Sequence, residues 1–218
     1  MIPLRDVIPS RTVPFVTVTI ILINAAAWIL EVSMPPRLLN ELLTTYGVVP
    51  AALRPVTLLT SMFLHGGWSH VIGNMWYLWI FGDNVEDRFG HGRFIVFYLL
   101  CGMTAAFGQI IMEPASLVPT IGASGAIAGV MGAYFVLFPR SRVLTLIPIF
   151  LFDVIEVPAI FLLGFWFLMQ LVNAGAVAVT AGTGGGGVAF AAHVAGFLVG
   201  VVGVFVFRKR EQPQVWEA

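Results

Sequence analysis

Eight polar side chains lie inside runs of sequence that are otherwise apolar: Asn24, His70, Asn74, Gln109, Ser124, Gln170, Asn173 and His193. A polar group without a partner is costly in hydrocarbon, so each is a candidate for function. A hydroxyl beside an imidazole is the minimum arrangement for an activated serine nucleophile, and Ser124 and His193 can supply it. Pro119 and Gly122 break the chain just before Ser124, which puts the serine in the first turn of its helix. Backbone N–H groups are unpaired there and the helix dipole favours negative charge, as the oxyanion of an acyl transfer requires. His70 and Asn74 stand at i and i+4 on one helix face and offer side-chain donors to the same oxyanion. No Asp or Glu lies at that depth to orient the histidine, so the expected pair is a dyad. Asn24, Gln109, Gln170 and Asn173 are assigned to hydrogen bonds between helices. His65, His70 and His193 have no carboxylate to join them and Cys101 is the only cysteine, so neither a metal nor any other cofactor is expected.

The elements that must position these groups follow from composition. Of 218 residues, 59% are hydrophobic and only 10% charged, against about 25% charged in a typical soluble domain; mean hydropathy is +0.95. The solvent of this chain is a lipid bilayer. Eleven basic and eleven acidic residues cancel, which leaves no basic field to hold nucleic acid. Cys101 is expected to pack within an apolar helix, and an intrachain disulfide is excluded.

Six runs are candidates to cross the roughly 30 Å of hydrocarbon: 14–33, 69–88, 94–112, 122–138, 154–174 and 188–207. The second carries His70 and Asn74 and belongs inside a bundle, away from lipid. Nine of the eleven basic residues, all but Arg37 and Arg54, fall on one side of this arrangement. By the positive-inside rule that side is cytoplasmic, and both termini lie there, as short tails 1–13 and 208–218. The full-length first span with no small-residue cleavage site reads as a span and not as a cleavable signal peptide. Glu86 and Arg88 are expected to form a local network at the inner end of the second span, and His91 to sit in a solvated loop.

Depth sorts the polar groups. Measured upward from the cytoplasmic arginines at about 1.5 Å per residue, Ser124 lies about 24 Å above Arg140 and His193 about 22 Å above Arg208. Asn74 and His70 lie about 21 and 27 Å above Arg88. Four polar groups from three parallel helices thus share one level, beneath the outer surface. Gly125, Gly129 and Gly132 on the fourth span, and Gly196, Gly200 and Gly203 on the sixth, form small-residue stripes that let these two helices meet closely. Residues 34–68, with four prolines and apolar stretches, are expected to lie in the interface. The run Gly184–Gly187 before the sixth span is expected to be mobile.

The segments His65-Gly-Gly-Trp-Ser-His70-Val-Ile-Gly-Asn74, Gly122-Ala-Ser124-Gly-Ala and Ala192-His193-Val-Ala-Gly196-Phe resemble the signature of the rhomboid intramembrane serine proteases, and Val85-Glu86-Asp-Arg88-Phe-Gly90 resembles the family's inner turn. The three motifs fall in order on the second, fourth and sixth spans, and the resemblance covers essentially the whole chain. It implies an all-α, six-helix rhomboid-like bundle forming a single domain over residues 1–218. It implies Ser124 as nucleophile and His193 as general base, with His70, Asn74 and the Ser124 N–H as the oxyanion site. Substrates would be other transmembrane proteins, cut near the outer face in the membrane of a prokaryotic cell. Residues 34–68 would be a membrane-embedded hairpin, and the fifth helix with the glycine-rich segment a substrate gate. Two positions depart from the pattern. Leu53 precedes Arg54 where many members have Trp-Arg, and Ala128 stands where some place an aromatic residue against the histidine. The alternatives weighed beside proteolysis are a non-proteolytic binder or chaperone of membrane segments on the same fold, and a small transporter. No inverted repeat is evident in the sequence and no buried carboxylate is expected from it, two features that transporters often carry.

Overall fold

The computed structural model describes residues 1–147, 153–179 and 188–209. Six long helices dominate it: α1 (Phe15–Ser33), α4 (Trp68–Phe89), α5 (His91–Met112), α6 (Ser124–Leu137), α7 (Ala159–Val179) and α8 (Phe190–Phe207). Between α1 and α4 lie the amphipathic α2 (Pro36–Tyr46), the single turn α3 (Thr57–Thr60) and two short turns of 3-10 helix. Each expected span coincides with one of the long helices. Helices α1, α5, α7 and α8 are long and apolar enough to cross a membrane, while α6 is equally apolar but shorter. Helix α4 carries Asp83, Glu86 and Asp87 as well as His70 and Asn74, which lowers its hydropathy.

The fold departs from the all-helical expectation in a three-stranded antiparallel sheet of β1 (Ile2–Asp6), β2 (Arg142–Ile147) and β3 (Asp153–Pro158), in that order. The expected inner tail 1–13 therefore contains a strand, and the fifth helix starts at Ala159 instead of Val154. Val154-Ile-Glu-Val is apolar enough to extend a hydropathy run but is rich in β-branched residues, and it pairs with Val143–Leu146. An Arg142–Glu156 ion pair at 2.9 Å joins β2 to β3. The register of β1 on β2 shifts between Pro3 and Arg5, and β1 lies at the sheet edge, where a proline removes no ladder bond that the sheet needs. Trp76 Nε1 donates to the Pro3 carbonyl at 2.7 Å and Asn84 Nδ2 to the Asp6 carboxylate at 2.9 Å, so β1 runs alongside α4. The Tyr134 hydroxyl on α6 donates to the same carboxylate at 2.7 Å.

Glu86 fixes where α1 begins. The first N–H groups of a helix lack intrahelical partners, and here Val16 N and Thr17 N donate to the Glu86 carboxylate at 2.9 and 2.8 Å, joined by the Thr17 hydroxyl at 2.7 Å. His91 is the first residue of α5 and pairs with Glu86, so it belongs to this network and not to a solvated loop. Gly90, at φ 78, makes the reversal from α4 to α5 that an L side chain would resist.

The core forms where α4, α5, α6 and α8 meet, around Phe81, Phe89, Phe94, Phe97, Tyr98, Met131, Tyr134 and Phe197. Cys101 is fully buried there, as expected, against Gly129. The small-residue stripes serve the α6–α8 contact. A methyl group on Gly196 would stand 2.1 Å from the Gly125 carbonyl oxygen, and one on Gly200 1.9 Å from that of Gly129. Gly203 departs from the stripe and faces Phe97 of α5. The run Gly184–Gly187 lies outside the described residues.

Candidate active site

Two backbone braces position Ser124. Val48 and Thr120 exchange N–H···O bonds at 3.0 and 2.7 Å, tying the segment after α2 to the strand-like approach to α6. Gly122 N then donates to the Ser61 carbonyl at 2.8 Å. Gly122 adopts φ 118, a conformation open to glycine, and the chain turns there directly into α6, whose first residue is Ser124. Arg54 contributes to the same braced segment, donating to the Thr45 carbonyl at 3.2 Å at the end of α2.

His193 comes to Ser124 from α8, because the glycine contacts below bring the two helices together. Its Nε2 lies 2.8 Å from the Ser124 hydroxyl oxygen. Ala128 leaves the ring unstacked on the α6 side. The indole of Trp166 on α7 flanks it instead, with ring centroids 5.8 Å apart. On its other nitrogen, Nδ1, the imidazole meets Gln170 Oε1 at 2.9 Å.

His70 and Asn74 both turn toward Gly122. A methyl group there would stand 2.6 Å from His70 Nε2 and 3.6 Å from Asn74 Nδ2. The His70 Nδ1 accepts the Gly66 N–H at 3.3 Å, which leaves Nε2 as the protonated nitrogen of the neutral ring. Asn74 Nδ2 is buried and has no hydrogen-bond partner among the described residues, an unusual state for an amide and one that an oxyanion would relieve. His65 packs edge-on against His70 with centroids 5.1 Å apart, and its backbone N–H donates to the buried Glu31 carboxylate at 3.1 Å. Beside Ser124 a cavity of about 30 Å³, lined by Ser61, Met62, Ala105, Thr120 and Gly122, has room for about two water molecules.

The four residues singled out from the sequence thus converge on one place. Of the other buried amides, Asn24 and Gln109 bond locally instead of between helices, to the Ile20 carbonyl and to Glu113 just past the end of α5. Gln170 makes the expected bond between helices, but its partner is His193, which brings it into the site. Depth was the available signal. Gln170 lies 11 residues beyond Ala159, the first residue of α7, about 17 Å along that helix and within about one turn of the heights counted for Asn74 and His193.

A family model described as the Rhomboid domain matches residues 53–210, more than half of the chain. The chain is similar to the rhomboid protease GluP of Bacillus subtilis (strain 168), 42% identical over 76 residues, which are 35% of this chain and 14% of that protein. It is similar to Rhomboid-like protein 11, chloroplastic, of Arabidopsis thaliana, 32% identical over 157 residues, 69% of this chain and 52% of that one. It also resembles the mitochondrial presenilin-associated rhomboid-like protein of Mus musculus, 32% identical over 98 residues, 44% of this chain and 26% of that one. The chain therefore spans between about one seventh and about one half of the length of these relatives.

Proposed function

Because this chain belongs to the rhomboid family, and is thereby a polytopic integral membrane protein, we propose that it is an intramembrane serine endopeptidase that cuts transmembrane proteins near the outer membrane face. All six long helices then span the bilayer, with both termini cytoplasmic. The observation that carries the reading is the 2.8 Å contact between Ser124 Oγ and His193 Nε2 in a half-buried pocket.

As Ser124 Oγ attacks the scissile carbonyl carbon, its proton passes to His193 Nε2. The carbonyl oxygen takes up negative charge and is held by the Ser124 N–H, His70 Nε2–H and the Asn74 amide. When the C–N bond breaks, His193 returns the proton to the leaving amine, and the acyl group stays on Ser124. Water then attacks the ester carbonyl with His193 as base, releasing the carboxylate and restoring the serine. The cavity beside Ser124, with Ser61 and Thr120 in its wall, gives the hydrolytic water room at a level where lipid excludes it.

The test is incubation of the purified full chain, in proteoliposomes, with a single-span membrane substrate, comparing the native protein with Ser124→Ala and His193→Ala. Loss of cleavage in both is expected. Cleavage that survives Ser124→Ala excludes Ser124 as the nucleophile. Failure of the native protein to label with a serine-reactive fluorophosphonate transfers the fold to the non-proteolytic binder.

A further inference from the structure

A neutral imidazole carries one proton, and which nitrogen holds it decides whether His193 can serve Ser124 at all. For Nε2 to accept the hydroxyl proton, Nδ1 must be the protonated nitrogen. Nδ1 lies 2.9 Å from Gln170 Oε1, in a buried contact between α7 and α8. The amide's own orientation is set from its other end, since Gln170 Nε2 faces the Trp166 carbonyl at 3.4 Å. A carbonyl oxygen can only accept, so the amide nitrogen belongs on that side and the amide oxygen faces the histidine.

We propose that Gln170 is the positioning residue of this site, its side-chain oxygen accepting the Nδ1–H of His193 and so fixing the tautomer and ring angle that turn Nε2 toward Ser124. This rests on the peptidase reading above and completes it: the dyad has a neutral third member, supplied by a different helix. Trp166, one turn earlier on α7, closes off the face of the same ring. The two residues together replace the aromatic neighbour that Ala128 cannot provide. A glutamine acts here without adding a charge. A buried carboxylate at the same place would need its own compensation in a bilayer.

The test compares Gln170→Leu, which removes the acceptor, with Gln170→Glu, which keeps an oxygen at the same reach. Three readouts on the full chain in micelles are used: fluorophosphonate labelling of Ser124, turnover of a single-span substrate, and ¹⁵N shifts of labelled histidine. His193 in the native protein is expected to show Nδ1–H. In Gln170→Leu a mixture of tautomers is expected, with kcat and labelling rate lower by about 100-fold, the scale found when a hydrogen bond orienting a functional histidine is removed. KM is expected to stay unchanged, and Gln170→Glu to recover labelling to within a few-fold of native. Native His193 in the Nε2–H form, or Gln170→Leu with native kcat, overturns the proposal. If Gln170→Leu unfolds, the Gln170→Glu rate and the native tautomer decide alone. A native protein that holds Nδ1–H but neither labels nor cleaves defeats the peptidase reading and leaves the assignment of Gln170 standing.

Discussion

Replacing Gly200 by alanine tests the claim that the glycine contact between α6 and α8 sets the distance between the two reacting groups. The new methyl carbon would stand 1.9 Å from the Gly129 carbonyl oxygen, a backbone atom that cannot rotate away, whereas ordinary contact begins near 3.4 Å. Relief requires α8 to retreat from α6 by about 1.5 Å. Gly200 lies two turns, about 10 Å, below His193 on the same rigid helix. If only half of the retreat reaches His193, the Ser124–His193 contact stretches from 2.8 Å to about 3.5 Å, where a hydrogen bond ceases. Overpacking of this kind costs about 1–3 kcal/mol of stability. A misplacement on the order of 1 Å costs about 100-fold in rate. The assay is the initial rate of fluorophosphonate labelling of Ser124, read beside thermal unfolding in the same detergent. Gly175→Ala on α7, where no atom of the described residues lies within 4 Å of the added methyl, is the control and should match the native protein in both. Native labelling and stability in Gly200→Ala would refute the reasoning.

Gly122→Ala should lower kcat by about 100-fold or more, because the methyl group displaces the His70 donor and the residue resists φ 118; equal single-turnover rates for variant and native protein would count against His70 as an oxyanion donor. Glu86→Ala strips the carboxylate from Val16 N, Thr17 N, the Thr17 hydroxyl and His91, and should cost about 3 kcal/mol, read as a fall in the unfolding midpoint. Burial pushes the Asp6 carboxyl up to about 6 from 3.8, Asp83 adding to the effect and the Tyr134 hydroxyl opposing it. The folded chain therefore holds that proton more tightly than the unfolded one. Stability from this group is full below about pH 4 and is lost as pH rises through 6. Unfolding midpoints at pH 4.5 and 7 should differ in that direction, and the slope should shrink in Asp6→Asn, with burial of Asp83 sustaining the remainder.

Much of the site was legible because hydrocarbon makes polar residues conspicuous. Ser124, His193, His70 and Asn74 could be picked out and set at one height by counting from the arginines that close their spans. Gln170 was equally conspicuous, but its partner depends on how α7 is rotated against α8, and hydropathy carries no rotational information in a helix apolar on every side. The sheet escaped for another reason. A short apolar run such as 154–157 reads the same in a strand as in the first turn of a span. The edge strand β1 was only five residues long, contained a proline, and had to find β2 beyond four long helices. The braces at Val48–Thr120 and Gly122–Ser61 are backbone bonds, to which side-chain patterns give no clue.

The pairing of Ile2 with Leu146 also has a consequence for the order in which the molecule is made. A ribosome adds about 5–20 residues per second, so β1 emerges on the order of ten seconds before the strand it must join. In that interval α1, α4, α5 and α6 can insert and pack through contacts closer in sequence, while β1 waits with its ladder unfilled. The sheet is thus the last closure on this side of the bundle, tying a strand made before all of these helices to the hairpin that leads into α7. Disrupting β1 should leave helix insertion intact and speed unfolding, a separation that protease protection of the inserted chain and unfolding kinetics of the purified protein can measure independently.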